Sequence, residues 1–301
     1  MEPQVVWTEW DDLKIPEGFQ RLSPTSAPLD GDDLGEITYF VPPYMGGRDA
    51  LLPILRMPRL KIVQLPNAGY DDVLEFVRPG LTICNARGVH DASTAELAVG
   101  LAIAALRGFP DFVRNQSNGI WGHEKRRSLT DSRIGIVGFG SIGQAIARNL
   151  SGFDVEVISF SRSGAAGAKK SNQLDTELPN LDIVILAMPL NDESRGLFDA
   201  RRLALMKDGA LLVNVARGPV VDTDALVVEL NSGRLLAALD VTDPEPLPNG
   251  HPLWSAKGVL ISPHVGGDTT AFEPRIRKLV EEQLERLKAG QALRNVVIKG
   301  N

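Results

Sequence analysis

Three segments in the last third of the chain carry side chains that can hold an anion and move a proton. They are "VNVARGPVVD" with Arg217, "ALDVTDPEPLPNGHPLW" with Asp240 and Glu245, and "LISPHVGGDTT" with His264. Arginine presents a planar fork that grips both oxygens of a carboxylate. Histidine can give a proton to a carbonyl oxygen as hydride reaches the carbon, and take it back in reverse. A carboxylate beside that histidine keeps the imidazolium available and orients its ring. Together these types suit reduction of a 2-oxo acid, with Arg217, Glu245 and His264 as the catalytic set. Any one of them alone would be read as structural. His251 lies in a Pro-rich loop, and His90 and His123 have no neighbouring motif.

Hydride must come from somewhere, and upstream the sequence offers a place for its carrier. Gly138-Phe139-Gly140-Ser141-Ile142-Gly143 matches G-x-G-x-x-G, between the apolar run "RIGIV" and the amphipathic "SIGQAIARNL". Strand before and helix after is the context that makes this pattern a dinucleotide turn. Gly138 allows the tight turn, Gly140 lets backbone approach a pyrophosphate, and Gly143 lets the helix pack on the strand. The N–H groups of the helix N-terminus, from Ser141 and Ile142, face the phosphates.

The next strand, "DVEVISF", should end in an acid that holds a ribose hydroxyl. It ends instead in Ser161-Arg162-Ser163, with Asp154 and Glu156 at its start and middle. A carboxylate at the strand end would repel a 2′-phosphate, whereas hydroxyls and a guanidinium would bind one. This favours NADP(H), with NAD(H) still admitted. The competing reading makes Arg162 a solvated loop residue.

These residues need a scaffold, and the hydrophobic pattern supplies one. From Arg133 onward strand-like runs ("RIGIVG", "DVEVISF", "LDIVILAM", "ALLVNVA", "LLAALDV", "GVLISP") alternate with helical ones ("SIGQAIARNLSG", "DARRLALMKDG", "DTDALVVELNSG"). Such alternation implies a doubly wound parallel sheet, whose strand ends form the ligand edge. Arg217, Asp240 and His264 all follow strands. Earlier, Glu36–Val41, Leu60–Leu65 and Leu81–Ala86 read as strands and Asp49–Met57 as a helix, suggesting a small α/β domain. "RLSPTSAPLDGDDLG" reads as loop. "DASTAELAVGLAIAALRG" is a buried helix, "PDFVRNQSNGIW" a more polar one, and "TTAFEPRIRKLVEEQLERLKAG" a long amphipathic helix. The closing "ALRNVV" is a strand or turn returning to the first domain.

Composition narrows the class. The chain has 301 residues, enough for two domains, with 43% hydrophobic and 23% charged residues. A net charge of -6 argues against a nucleic-acid partner. The basic cluster at His123–Arg127 reads as solvated surface. One cysteine, Cys84, excludes an internal disulfide framework and reads as a packing residue in a reducing compartment. The acidic start lacks a signal-peptide core, and "ELAVGLAIAALRG" is too short to span a bilayer. A cytoplasmic location, no membrane association and no metal site are expected.

The stretches "GIVGFGSIGQAIARNL", "LAMPLNDESRGLFDARRLALMKDGALLVNVARGPVVDTDAL", "LDVTDPEPLPNGHPLW" and "SPHVGG" resemble the D-isomer-specific 2-hydroxyacid dehydrogenases, and the Ser-Arg-Ser run is similar to their NADP-using glyoxylate/hydroxypyruvate reductase branch. The resemblance covers most of the chain and is weakest before about Leu60. It implies a Rossmann-type domain (92–267) inserted in a flavodoxin-like substrate domain (1–91 and 268–301), and a homodimer formed through the dinucleotide domains. It implies substrate binding by Arg217 and His264, a Glu245–His264 pair, and Asp240 near the nicotinamide amide. The loop "NAGYDDV" implies backbone N–H groups of Ala68 and Gly69 toward the substrate carboxylate. Thr94, Pro189, Ser194, Val215, Ala216 and Gly266 fall where the family lines its cofactor site. In some relatives a Trp near Trp121 reaches the neighbouring subunit's pocket. "FVPPYMGGR" departs from the usual pattern, so Tyr44 and Met45 either shape the pocket or pack.

Glyoxylate or hydroxypyruvate is the expected substrate type. A 3-phosphoglycerate role is disfavoured because no regulatory domain follows Asn301. Formate oxidation is disfavoured because such relatives carry an amide at the Glu245 position. A nucleoside-directed enzyme would need segments not seen. The alternative class is a non-catalytic, cofactor-sensing corepressor. Those relatives keep the catalytic residues but carry partner-binding tails, and here the chain ends soon after its last helix.

Overall fold

Strands that pair in parallel need crossover connections of about a dozen or more residues, and the chain supplies them in two compact units. These are Met1–His90 with Thr270–Asn301, and Asp91–Thr269. The computed structural model describes residues 4–31 and 34–300.

The first unit begins with β1 (Gln4–Trp7), β2 (Phe19–Leu22), β3 (Tyr39–Phe40), β4 (Ile62–Gln64) and β5 (Thr82–Cys84). β1 and β2 fall where the sequence gives little pattern: both are four residues long, and "FQRL" has no apolar alternation. The expected strand at Glu36–Val41 shortens to Tyr39–Phe40, because Ile37 N–H donates back to Leu34 in a turn. The expected helix at Asp49–Met57 is a 3-10 helix, Asp49–Arg56, with Pro53 inside it. Proline removes an i→i−4 donor and clashes with the preceding turn, so an α-helix cannot run through it.

The second unit opens with α1 (Asp91–Arg107), which stops at Gly108 in the left-handed region, and α2 (Phe109–Ser117). Then come β6 (Arg133–Val137), α3 (Ser141–Leu150), β7 (Glu156–Ser161), β8 (Lys169–Lys170), α4 (Leu174–Glu177) and β9 (Ile183–Leu186). α5 (Ala200–Leu205), β10 (Leu211–Asn214), α6 (Thr223–Asn231), β11 (Leu236–Leu239) and β12 (Val259–Ile261) complete it. Asp199 caps α5 through Arg202 N–H at 2.8 Å, and Asp222 caps α6 through Ala225 N–H at 3.0 Å.

All seven strands of this sheet are parallel, in the order β12-β11-β10-β9-β6-β7-β8. Period-two alternation sorts the buried residues onto two faces. Ile183 and Ile185 of β9 join Ala95, Ala98 and Ile146 on the face of α1 and α3. Val184 and Leu186 join Leu203, Leu226 and Leu230 on the face of α5 and α6. Burial of both faces explains the unbroken apolar runs, at about 1.5–3 kcal/mol per fully buried side chain.

The chain then returns to the first unit with α7 (Phe272–Lys288) and β13 (Val296–Ile298). Its sheet order is β13-β5-β4-β3-β1-β2, parallel except for β13 against β5. Without β13 this is the flavodoxin-like order. Ile276, Val280 and Leu284 of α7 pack on Val6, Tyr39 and Ile62. Among the described residues no single helix is long and apolar enough to cross a membrane.

Candidate active site

The second sheet reverses its winding between β6 and β9: β7 and β8 lie on one side of β6, and β9 to β12 on the other. Ligands of open α/β sheets bind at such a switch point, beyond the strand ends. The glycine turn sits there. Gly138 has φ +100°, and a Cβ on it would lie 2.5 Å from the Met188 nitrogen, just past β9. A Cβ on Gly143 would lie 2.2 Å from the Gly138 oxygen, so helix and turn could not close together. Gly140 differs: it is exposed and a Cβ there meets nothing within 4 Å. Among the described residues no neighbour requires a glycine at that point, which leaves an open approach for a ligand's phosphates. α3 has no side-chain cap, so its first-turn N–H groups remain available to an anion. Ser141 Oγ donates to Asp91 Oδ1 at 3.1 Å, and Ile142 is half-buried against the α1 face.

At the end of β7, the Ser161 hydroxyl is buried with no hydrogen-bond partner among the described residues. Arg162 is 80% exposed and stands 3.6 Å from the carboxylate of Glu193. Ser163 Oγ accepts from Ala165 N–H at 3.3 Å. Glu156 is held at the strand's start by a two-pronged bond from Arg133, at 2.8 and 3.2 Å, away from the ligand edge. Glu193 was missed by sequence reading. It rides on a tight turn in which Asn191 Oδ1 accepts from Glu193 and Ser194 N–H, both at 3.0 Å. In the same turn Ser194 Oγ donates to the Pro189 carbonyl at 2.8 Å and accepts from Asn191 N–H at 2.8 Å. The Ser194 hydroxyl therefore shapes the loop, and Pro189 is exposed at its start. Thr94 on α1 is buried, as are Val215 and Ala216 after β10.

Arg217 follows them. Asn214, also missed, accepts from Ala216 N–H on Oδ1 and donates to the Arg217 carbonyl, both at 3.0 Å. This fixes the turn from which the guanidinium projects. A Cβ on Gly218 would overlap the Thr242 carbonyl at 1.9 Å, so glycine there lets the arginine turn lie against the segment leading to Glu245.

Asp240 is 3% exposed at the end of β11. Its Oδ1 accepts from Ser262 Oγ at 2.6 Å and Val265 N–H at 3.0 Å, and its Oδ2 from Gly266 N–H at 2.9 Å. Its carbonyl accepts from His264 N–H at 2.7 Å. One residue thus holds the whole turn that carries the histidine. His264 itself has φ +54°, a conformation a non-glycine residue keeps only where its surroundings impose it. Its Nδ1 meets Glu245 Oε1 at 2.5 Å, leaving Nε2 as the other ring nitrogen. Burial pushes the Glu245 carboxyl up, but the bond and charge of His264, a backbone bond from Thr242 and the Arg217 charge together hold it below the usual glutamate value. Arg217, Glu245 and His264 are thus electrostatic neighbours.

His251 and His90 have structural places. His251 Nδ1 accepts from Leu253 N–H at 3.2 Å, His90 Nε2 bonds the Pro66 carbonyl at 2.8 Å, and His123 is exposed. In the basic cluster Arg126 pairs with Asp111 at 2.8 Å and Glu124 at 2.7 Å.

In the first unit, Ala68 and Gly69 are half-buried in the loop after β4. Asn85 Nδ2 holds the Ala68 carbonyl at 2.6 Å, and Ala86 N–H holds that of Asn67 at 2.8 Å. Tyr44 stacks on Phe272 with ring centroids 3.8 Å apart, a packing role, whereas Met45 is exposed with φ +56°. Cys84 is fully buried and burial pushes its thiol up to about 12, so it stays protonated and unreactive.

Residues 99–266 match the family described as D-isomer specific 2-hydroxyacid dehydrogenase, NAD binding domain. A glyoxylate reductase of Pyrococcus furiosus is 39% identical over 251 residues, covering 78% of this chain and 74% of the relative. One from Thermococcus kodakarensis is 37% identical over 262 residues, covering 80% and 78%. Among solved structures, a D-isomer specific 2-hydroxyacid dehydrogenase family protein from Aeromonas salmonicida superposes with a TM-score of 0.87 at 25% identity, covering 99% of each chain. An NADPH-dependent glyoxylate/hydroxypyruvate reductase from Sinorhizobium meliloti, solved with NADP and sulfate, gives 0.82 at 25% identity, covering 98% of each. With a glycine-rich dinucleotide turn, a hydrogen-bonded His264–Glu245 pair and this likeness over most of its length, the chain belongs to the D-isomer-specific 2-hydroxyacid dehydrogenase family, enzymes of small 2-oxo and 2-hydroxy acids.

Proposed function

We propose that the protein is an NADP(H)-preferring reductase of a small 2-oxo acid, of the glyoxylate or hydroxypyruvate type. The observation that carries the reaction is the His264–Glu245 pair at 2.5 Å beside Arg217. The bound nicotinamide supplies the hydride. Arg217 grips the substrate carboxylate through its fork. His264 Nε2 gives its proton to the carbonyl oxygen as the carbon is reduced, so the product leaves as a hydroxyl. Glu245 stabilises the imidazolium and fixes the ring by holding Nδ1. Asp240 keeps the histidine turn in place, and the second lone pair of its Oδ2 remains able to accept from a carboxamide.

Preference for NADP(H) rests on the end of β7, which offers Ser161, Arg162 and Ser163 and no carboxylate of its own. Glyoxylate and hydroxypyruvate are favoured by the names of the relatives and of the Sinorhizobium structure. The decisive assay measures kcat/KM for a panel of 2-oxo acids with NADPH and NADH. Turnover of short, unbranched acids with NADPH ahead is expected. NADPH binding without turnover of any 2-oxo acid would overturn the catalytic reading.

The functional unit is a homodimer joined through the dinucleotide domains. Support comes from an apolar surface running from α2 into the next loop. Phe109 is 48% exposed, Val113 62%, Ile120 56% and Trp121 95%, an arrangement a lone subunit leaves in water.

A further inference from the structure

The edge strand β8 brings a second cation to the strand end that replaces the missing acid. Its register sets Lys169 beside Phe160 and Lys170 beside Ser161. Paired residues of neighbouring strands project to the same face of the sheet. Lys169 is engaged with Glu177. Lys170 is exposed, and its Cγ lies 3.2 Å from where a Cβ on Gly164 would stand. Its stem therefore lies against Gly164, at the end of the turn that begins with Ser161. Among the described residues Lys170 has no ion-pair partner, whereas Arg162 faces Glu193 at 3.6 Å. Glu193 offsets part of the Arg162 charge, whereas the Lys170 charge meets no such carboxylate among these residues.

We propose that Lys170 is a specificity-determining residue that binds the 2′-phosphate of NADP(H) together with Arg162, an inference that rests on the NADP(H) reading above. A flexible ammonium adds a point charge where the guanidinium alone is partly neutralised by Glu193. An edge lysine also discourages strand addition. That role would affect NADPH and NADH alike, so cofactor selectivity separates the two.

The test uses the whole protein and two probes, adenosine 2′,5′-bisphosphate and AMP, titrated by calorimetry, with kcat/KM for NADPH and NADH alongside. Lys170→Met should weaken the bisphosphate by about two- to fivefold, the range of one exposed charged contact. Binding of AMP and use of NADH should stay unchanged, and Lys170→Arg should restore most of the loss. If Lys170→Met leaves the bisphosphate-to-AMP ratio intact while Arg162→Ala lowers it, the inference about Lys170 falls and the cofactor reading stands. If wild-type protein binds both probes equally, the NADP(H) reading fails and Lys170 with it.

Discussion

On the proposed mechanism His264 and Glu245 act as one proton-handling unit, and each should fail in its own way when altered. His264→Gln keeps a polar side chain but removes the acid. Reduction should slow by about 10²–10⁴-fold in kcat, with cofactor binding by fluorescence titration little changed. Glu245→Gln keeps the shape and removes the charge. Because the native carboxyl is held below its ordinary value, folding favours its ionised form. That contribution is complete above the unfolded glutamate value and is lost as pH falls through the lower native one. Heat-unfolding midpoints of wild type and Glu245→Gln should therefore differ most at neutral pH and converge in acid. Convergence in the opposite direction would mean the carboxyl is destabilised by its surroundings. At this scale the sequence was informative: arginine, glutamate and histidine were legible because each sits in a short segment after a strand. Asn214, Ser262 and Glu193 were not, since their roles are hydrogen bonds and a charge contact that only the folded turns create.

Turns between elements decide whether those groups meet. Gly218 is the tightest case, because any Cβ there strikes the Thr242 carbonyl at 1.9 Å. Gly218→Ala should displace the arginine turn from the Glu245 segment. It should cost about 1–3 kcal/mol in stability, as overpacking does, and lower kcat/KM by at least about tenfold. Retained activity with a lowered unfolding midpoint would show that the two turns move together. The long alternating part of the chain was legible because strands buried on both faces are unbroken apolar runs, and β6, β9 and β10 all read that way. The amino-terminal third was harder. β1 and β2 are short, β3 is a two-residue strand, and Pro53 turns an apparent α-helix into a 3-10 helix. Edge strand β8 went unseen because two lysines carry no hydrophobic period.

For the whole molecule, the apolar surface of α2 and Trp121 sets an association test. Val113→Ser with Trp121→Ser should convert the protein to a monomer by light scattering, with its circular dichroism unchanged. A wild-type monomer would remove the proposed dimer. The path of the chain has a consequence for how the protein is made. Residues Asp91–Thr269 form one unit from a single continuous stretch, while the other unit needs both ends of the chain. Gln283 of α7 bonds Gln64 at 3.0 Å and receives Arg294 N–H at 2.8 Å, joining residues more than two hundred positions apart. During synthesis the amino-terminal segment emerges first yet completes its core last, once α7 and β13 leave the ribosome. A chain cut after Thr269 should keep the inserted unit protected from protease while residues 4–90 are digested, and a 91–269 fragment should fold unaided.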